Sequence, residues 1–143
     1  MHGCPTVAVS SSQEKLDACI SLGASAGVNY REDKNWAQSL MNASGGKGYN
    51  VVLDPVMASN FSINCEVLAM DSRWVVYGFM GGSVVKEADM SKLFRKRCAL
   101  LNTTLRSRSD EYKTDLTKCL IRDVLPHFAS GEFKPQISSV YPL

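Results

Sequence analysis

No apolar run in these 143 residues approaches the roughly 20 that a membrane-spanning helix requires. The opening Met1-His2-Gly3-Cys4-Pro5 carries neither a basic region nor an apolar core, so no signal peptide is expected. The five cysteines, Cys4, Cys19, Cys65, Cys98 and Cys119, are scattered and form no C-x-x-C. That spacing argues against a zinc site and against a disulfide framework. Several fall on apolar stripes and read as buried, reduced thiols of a cytoplasmic protein. There is no large charge of one sign: the net charge of +2 is too small to draw the chain to nucleic acid or to an anionic membrane. The strongest basic cluster, Arg95-Lys96-Arg97, reads as a solvated helix end. Only two histidines are present, His2 and His127, and no carboxylate pair is spaced for acid–base work. No nucleophile constellation is visible.

What is there is an alternation of short β-branched runs and amphipathic segments. The length suits one domain with a real core. Thr6 to Val9 reads as a strand buried on both faces. Ser11 or Ser12 can cap the following helix, whose apolar face is Leu16, Cys19, Ile20 and Leu22, and Gly23 ends it. Ala26 to Asn29 is a second strand, closed by Tyr30. Trp36, Leu40 and Met41 mark a helix that stops in Ser44-Gly45-Gly46-Lys47-Gly48. Val51 to Leu53 is a third strand, ended by Asp54-Pro55. Phe61, Cys65 and Leu68 share a helical face. Arg73 to Tyr77 is a fourth strand, followed by the loop Gly78-Phe79-Met80-Gly81-Gly82. Met90 to Phe94 can form a short helix, and Cys98 to Leu105 a fifth strand. Asp110 to Phe128 reads as one long helix with Leu116, Cys119, Leu120, Val124 and Leu125 inward, and with Pro126 placed to kink or shorten it.

This order predicts an α/β fold with a parallel sheet covered on both faces. Such sheets bind ligands beyond the carboxyl ends of their strands. A dinucleotide-binding domain opens with a strand, a G-x-G-x-x-G turn and a helix. Here the apolar strand starts at Thr6, so a Rossmann-like doubly wound sheet is expected to lack its first strand and its Gly-rich loop. Tyr141-Pro142-Leu143 reads like the start of a further element, so both ends look cut. The missing strand would be central in the 3-2-1-4-5-6 order. The gap is expected to be closed by direct pairing of its neighbours, by a partner chain or by a rearranged segment.

An acid at the end of the second Rossmann strand holds the ribose 2′-hydroxyl of NAD. Hydroxyls and a cation suit the 2′-phosphate of NADP. The strand end Ser10-Ser11-Ser12-Gln13-Glu14-Lys15 offers serines and Lys15, with Glu14 further into the helix, which favours NADP. The plainer reading is that the serines cap the helix and Lys15 is solvated. Glycines of the 78–82 loop would let backbone approach a ligand closely, or simply make a turn. Tyr30 can pack on an adenine or ribose, or lid the core. Asp54 reads as a turn former before Pro55. A hydride-transfer enzyme needs no acid–base pair of its own, because the cofactor carries the reaction.

The ordered set of segments resembles the quinone oxidoreductase branch of the medium-chain dehydrogenase/reductase family, close to its p53-inducible group. The residues that carry it include Ser11-Ser12-Gln13-Glu14-Lys15-Leu16, Leu22-Gly23-Ala24, Asn29-Tyr30 and Gly48-Tyr49-Asn50-Val51-Val52-Leu53-Asp54. The run Leu68 to Gly82, Lys92 to Arg97, Leu105-Arg106-Ser107-Arg108, Tyr112-Lys113 and Leu125-Pro126-His127-Phe128 continue it. The resemblance implies that residues 1–143 are a partial NADP-binding Rossmann domain, with the catalytic domain absent. It implies hydride transfer from NADPH to quinones and enones without zinc. It implies that Ser11 and Lys15 meet the 2′-phosphate, Tyr30 the adenosine side, and Gly78, Phe79 and Met80 the nicotinamide-side pocket. It also implies a homodimer through the sheet edge at Cys98–Leu105. From another class, the chain could be a non-catalytic remnant or interaction module. A third reading is an adenosine-phosphate binding domain that keeps partial affinity through Ser11 and Lys15.

Overall fold

Short β-branched runs become strands wherever a helix lies close enough to cover them, and the computed structural model shows this over residues 3–142, the residues it describes. The elements run β1 (Val7–Ser10), α1 (Gln13–Ser21), β2 (Ala26–Asn29), α2 (Trp36–Ala43) and β3 (Tyr49–Asp54). A 3-10 turn over Ala58–Asn60 leads into α3 (Phe61–Val67), β4 (Leu68–Val76), α4 (Ser91–Arg95) and β5 (Ala99–Asn102). The chain ends with α5 (Asp110–Asp123) and α6 (Leu125–Ala129). It divides into two compact units, Met1–Thr103 and Thr104–Leu143.

All strand pairs are parallel, as alternation with helices requires. They form two sheets, β1-β2 and β3-β4-β5. Among the described residues no backbone bond joins β1 to β3, and no other segment pairs with either free edge. Direct pairing across the expected gap, and closure by a rearranged segment, are therefore corrected. Side-chain packing joins the sheets instead. Val7 of β1, Val28 of β2 and Tyr49 of β3 gather around Ala37 and Leu40 of α2, with Val67 of α3. The Tyr49 hydroxyl donates to the Leu40 carbonyl at 2.8 Å, and burial raises its pKa.

The second cluster holds Phe61, Cys65, Leu68, Trp74, Val76 and Leu93. Trp74 is fully buried, its ring 5.4 Å from that of Phe61. An aromatic of that size removes roughly 150–250 Å² from water, worth about 4–6 kcal/mol at ~25 cal/mol per Å². The row Val52, Trp74 and Leu100, aligned by the strand register, faces this cluster. The opposite row does not match the expectation of cover on both faces. Val51, Leu53 and Leu101 are exposed there, because α3 and α4 lie on the other side.

Several boundaries differ from the sequence reading. β5 spans only Ala99–Asn102 rather than Cys98–Leu105. β4 begins at Leu68, not Arg73, and its pairing with β3 jumps from Tyr49↔Leu68 to Val51↔Arg73. Asp71 absorbs the irregularity in the left-handed region, φ 56°, a conformation that Asp tolerates better than most residues. Its amide donates to the Lys96 carbonyl at 2.8 Å. The expected helix over 110–128 breaks at Val124, where Pro126 lacks the N–H needed to continue α5. Leu116, Leu120 and Leu125 are each about half exposed rather than inward. Within its own unit α5 packs chiefly on α6, too little to cover the stripe.

Candidate functional site

The carboxyl end of β1 turns directly into α1. Ser12 takes the N-cap position with extended backbone, φ −144° and ψ 148°, yet its side chain makes no cap bond. The expected Ser11 or Ser12 cap is thus not made. Neither hydroxyl has a hydrogen-bond partner among the described residues, and Lys15 is exposed and forms no ion pair there. Three features lie together: a nine-residue helix start with unsatisfied amides, two free hydroxyls and a free ammonium. An anion is what such a set can hold.

The carboxyl end of β2 lies beside it. Ser10 and Asn29 are register partners, and the Tyr30 amide donates to the Ser10 carbonyl at 3.1 Å. This brings Tyr30 into the neighbourhood of Ser11 and Lys15. Tyr30 is half exposed and tilts against Trp36, ring centroids 6.3 Å apart. Asn29 is buried, and its Oδ1 accepts from the Arg31 amide at 3.1 Å. Its Nδ2 is buried without a protein partner.

The other sheet presents a different kind of strand end. Asp54, the last residue of β3, is 3% exposed. Its Oδ1 accepts from the amides of Val56 at 2.7 Å and Met57 at 3.1 Å. Its Oδ2 accepts from Asn64 Nδ2 at 2.8 Å and Trp74 Nε1 at 2.9 Å. The loop after β4 is stitched to the turn after β3. Tyr77 N donates to Asp54 O at 3.0 Å, Met80 N to Pro55 O at 2.9 Å, and Gly81 N to Val56 O at 2.8 Å. Ala58 N donates back to Gly82 O at 3.1 Å.

These contacts give Gly78 and Gly81 a structural reason. A Cβ on Gly78 would stand 2.9 Å from the Pro55 carbonyl oxygen, and one on Gly81 would fall 2.2 Å from Ser59 Oγ. Both glycines let this loop approach its protein neighbour closely. Phe79 and Met80 point outward, 54% and 84% exposed. No hydrogen bond, ion pair or ring contact links Gly78, Phe79 or Met80 to the group Ser11, Lys15 and Tyr30 among the described residues. The signal for the turn bonds of Asp54 was in the sequence, an acid before Pro55 at the end of an apolar strand; its bonds to Asn64 and Trp74 carried no such local signal.

An open cavity of about 500 Å³ lies between the start of α3 and the 81–89 loop, lined in part by Ser59, Phe61, Ser62, Gly81, Lys86 and Lys92. None of the other sequence-predicted site residues lines it. Cys65 is at its wall, 1% exposed, and burial pushes its thiol pKa up despite nearby lysines. That is an inert thiol, not a nucleophile. No three His, Cys, Asp or Glu side chains converge to hold a metal among the described residues. His2 lies outside the described residues. His127 Nδ1 lies 2.5 Å from Glu132 Oε2 in the second unit, stacked on Phe133.

Residues 1–121 match the zinc-binding dehydrogenase family profile. The chain belongs to that family. It is a medium-chain dehydrogenase/reductase cofactor-binding domain with a Rossmann-like α/β fold. Over 78 residues, 54% of this chain and 22% of the relative, it is 33% identical to quinone oxidoreductase-like protein 2 of Rattus norvegicus. A solved NAD-dependent alcohol dehydrogenase superposes with a TM-score of 0.76 at 25% identity, over 94% of this chain and 36% of that one. The Escherichia coli quinone oxidoreductase complexed with NADPH superposes with a TM-score of 0.77 at 22% identity, over 95% of this chain and 41% of that one. The chain thus spans well under half the length of these relatives. Among the described residues no three His, Cys, Asp or Glu side chains are placed to hold the zinc that the family description names. No helix of the described residues is long and apolar enough to cross a membrane.

Proposed function

We propose that this chain is the cofactor-binding portion of an NADPH-dependent oxidoreductase that reduces quinones and related enones without zinc. The observation that carries the reading is the end of β1: among the described residues the Ser11 and Ser12 hydroxyls have no partner and Lys15 no acid, and the amides at the start of α1 are uncapped. This donor set fits a 2′-phosphate better than a bare ribose diol. When bound, NADPH supplies the hydride. Ser11 and Lys15 hold the phosphate, Tyr30 flanks the adenosine, and Gly78, Phe79 and Met80 border the nicotinamide side. The full-length enzyme is proposed to act in the cytoplasm as a homodimer through the free edge of β5, near Cys98–Leu105.

Titration with 2′,5′-ADP and with 5′-ADP tests the reading. Tighter binding of the 2′-phosphate compound, lost in Lys15→Ala, supports it. Equal binding of the two, as an NAD enzyme would give, overturns the NADPH assignment. No binding of either at millimolar concentration favours a non-catalytic interaction module, a reading for which the exposed row Val51, Leu53 and Leu101 is the specific support. Binding of 2′,5′-ADP without any response to the nicotinamide half would leave an adenosine-phosphate site alone. Sedimentation of the wild type and of Leu101→Arg checks the dimer.

A further inference from the structure

Asp54 is a buried carboxylate with no ion-pair partner among the described residues. Its four contacts are all N–H donors, and they divide cleanly between its two oxygens. Oδ2 is anchored to side chains of the core, Asn64 of α3 and Trp74 of β4. Oδ1 faces only the backbone of the turn after β3. A buried charge is held this way when the donors are fixed around it, and each donor is in turn fixed by the charge.

The turn needs such a fixture. Met57 adopts φ 64° and ψ −96°, a strained conformation for a residue with a side chain. The same turn carries the loop after β4, since four bonds run between residues 54–58 and 77–82. A shift of the turn therefore shifts Phe79 and Met80, which Asp54 never touches.

We propose that Asp54 is the positioning residue of the 78–82 loop, with Oδ1 setting the loop and Oδ2 anchoring the carboxylate to the core. Its bearing on chemistry rests on the reading above, that Phe79 and Met80 border the nicotinamide side.

Native-state hydrogen exchange on the whole chain, without cofactor, tests the proposal. In Asp54→Asn the side-chain NH₂ must face two donors in either rotamer. The expected result is exchange at Met80 and Gly81 at least about tenfold faster than the change at core amides of α2. Asp54→Ser keeps an acceptor for the turn amides and is expected to restore part of that protection. Asn64→Ala removes a donor to Oδ2 alone. It should lower global stability without a selective effect at Met80 and Gly81. Leu40→Ala, in the other cluster, sets the scale of an unselective loss.

The proposal is overturned if Met80 and Gly81 follow the global change in Asp54→Asn, or if Asn64→Ala frees them selectively. Should neither Asp54 variant fold, Asn64→Ala still decides. Titration of NADPH against Asp54→Ser then separates the two readings. A selectively loosened loop with unchanged nicotinamide fluorescence upholds the positioning role and removes Phe79 and Met80 from the cofactor site.

Discussion

The two sheets end their strands in opposite ways. At β1 and β2 the side chains of Ser11, Ser12 and Lys15 make no bonds among the described residues, and Asn29 keeps a buried donor without a partner there. At β3 and β4 one carboxylate satisfies four donors and two loops are sewn together. The first end is open, its backbone held by the β1–β2 ladder and the side chains of Ser11, Ser12 and Lys15 left at least partly facing solvent. The second is preorganised, its cost met by the core. A cofactor that spans the two would meet an adaptable phosphate site at one end and a fixed wall at the other.

The largest effect should come from removing the core that anchors the fixed end. Trp74→Ala deletes a fully buried indole and leaves Oδ2 short of a donor. The expected loss is about 3–5 kcal/mol, read by chemical denaturation. A loss under about 1 kcal/mol would mean that the wall is not tied to the core. Asp54→Asn should follow at about 1–3 kcal/mol, the cost of leaving a buried donor unsatisfied. Gly81→Ala tests the wall from the loop side. A Cβ there would overlap Ser59 Oγ and crowd Val56, and the expected cost is about 1–3 kcal/mol. Ser59→Ala should recover part of it, because Ser59 Oγ is the nearest atom.

Much of this contrast was legible in the residues. Val7–Ser10, Ala26–Asn29 and Tyr49–Asp54 are short β-branched or apolar runs between helix signals, and each is a strand. Pro126 announced the break between α5 and α6. The turn bonds of Asp54 are local and follow from Asp before Pro. The bonds to Asn64 and Trp74 are not local, since they span 10 and 20 residues and exist only once α3 and β4 have packed. The left-handed Asp71 was hidden for the same reason, as its amide finds Lys96 from a distant helix. The missing Ser12 cap shows the reverse. A residue with the right chemistry at the right position need not make the bond its type predicts.

The open end yields smaller effects, on binding rather than on stability. Lys15→Ala should leave the denaturation midpoint unchanged, because the exposed ammonium makes no ion pair among the described residues. Affinity for 2′,5′-ADP should fall roughly five- to tenfold at low salt, about 1 kcal/mol. The wild-type preference should itself shrink as salt rises. A stability change without an affinity change would make Lys15 a structural residue and erase the contrast.

The smallest effect concerns the ion pair of Asp71 with Arg97, whose side chains meet at 2.6 Å on the surface. The hydrogen bond from Arg97 holds the Asp71 carboxyl below its ordinary range. A depressed folded value means the pair contributes while the carboxyl is ionised, above the unfolded carboxylate pKa near ~3.9. That contribution is lost as pH falls through the lowered folded value. At neutral pH an exposed pair of this kind adds little, because water and salt screen it. Asp71→Asn keeps a residue that tolerates the left-handed backbone. The variant should therefore match the wild type at pH 7 and lose slightly less stability on acidification. Exchange at Met80 and Gly81 should be identical in the two proteins across that range. If the loop loosens in Asp71→Asn, the order at the end of β4 comes from this surface pair near the start of the strand, and not from the buried carboxylate of β3.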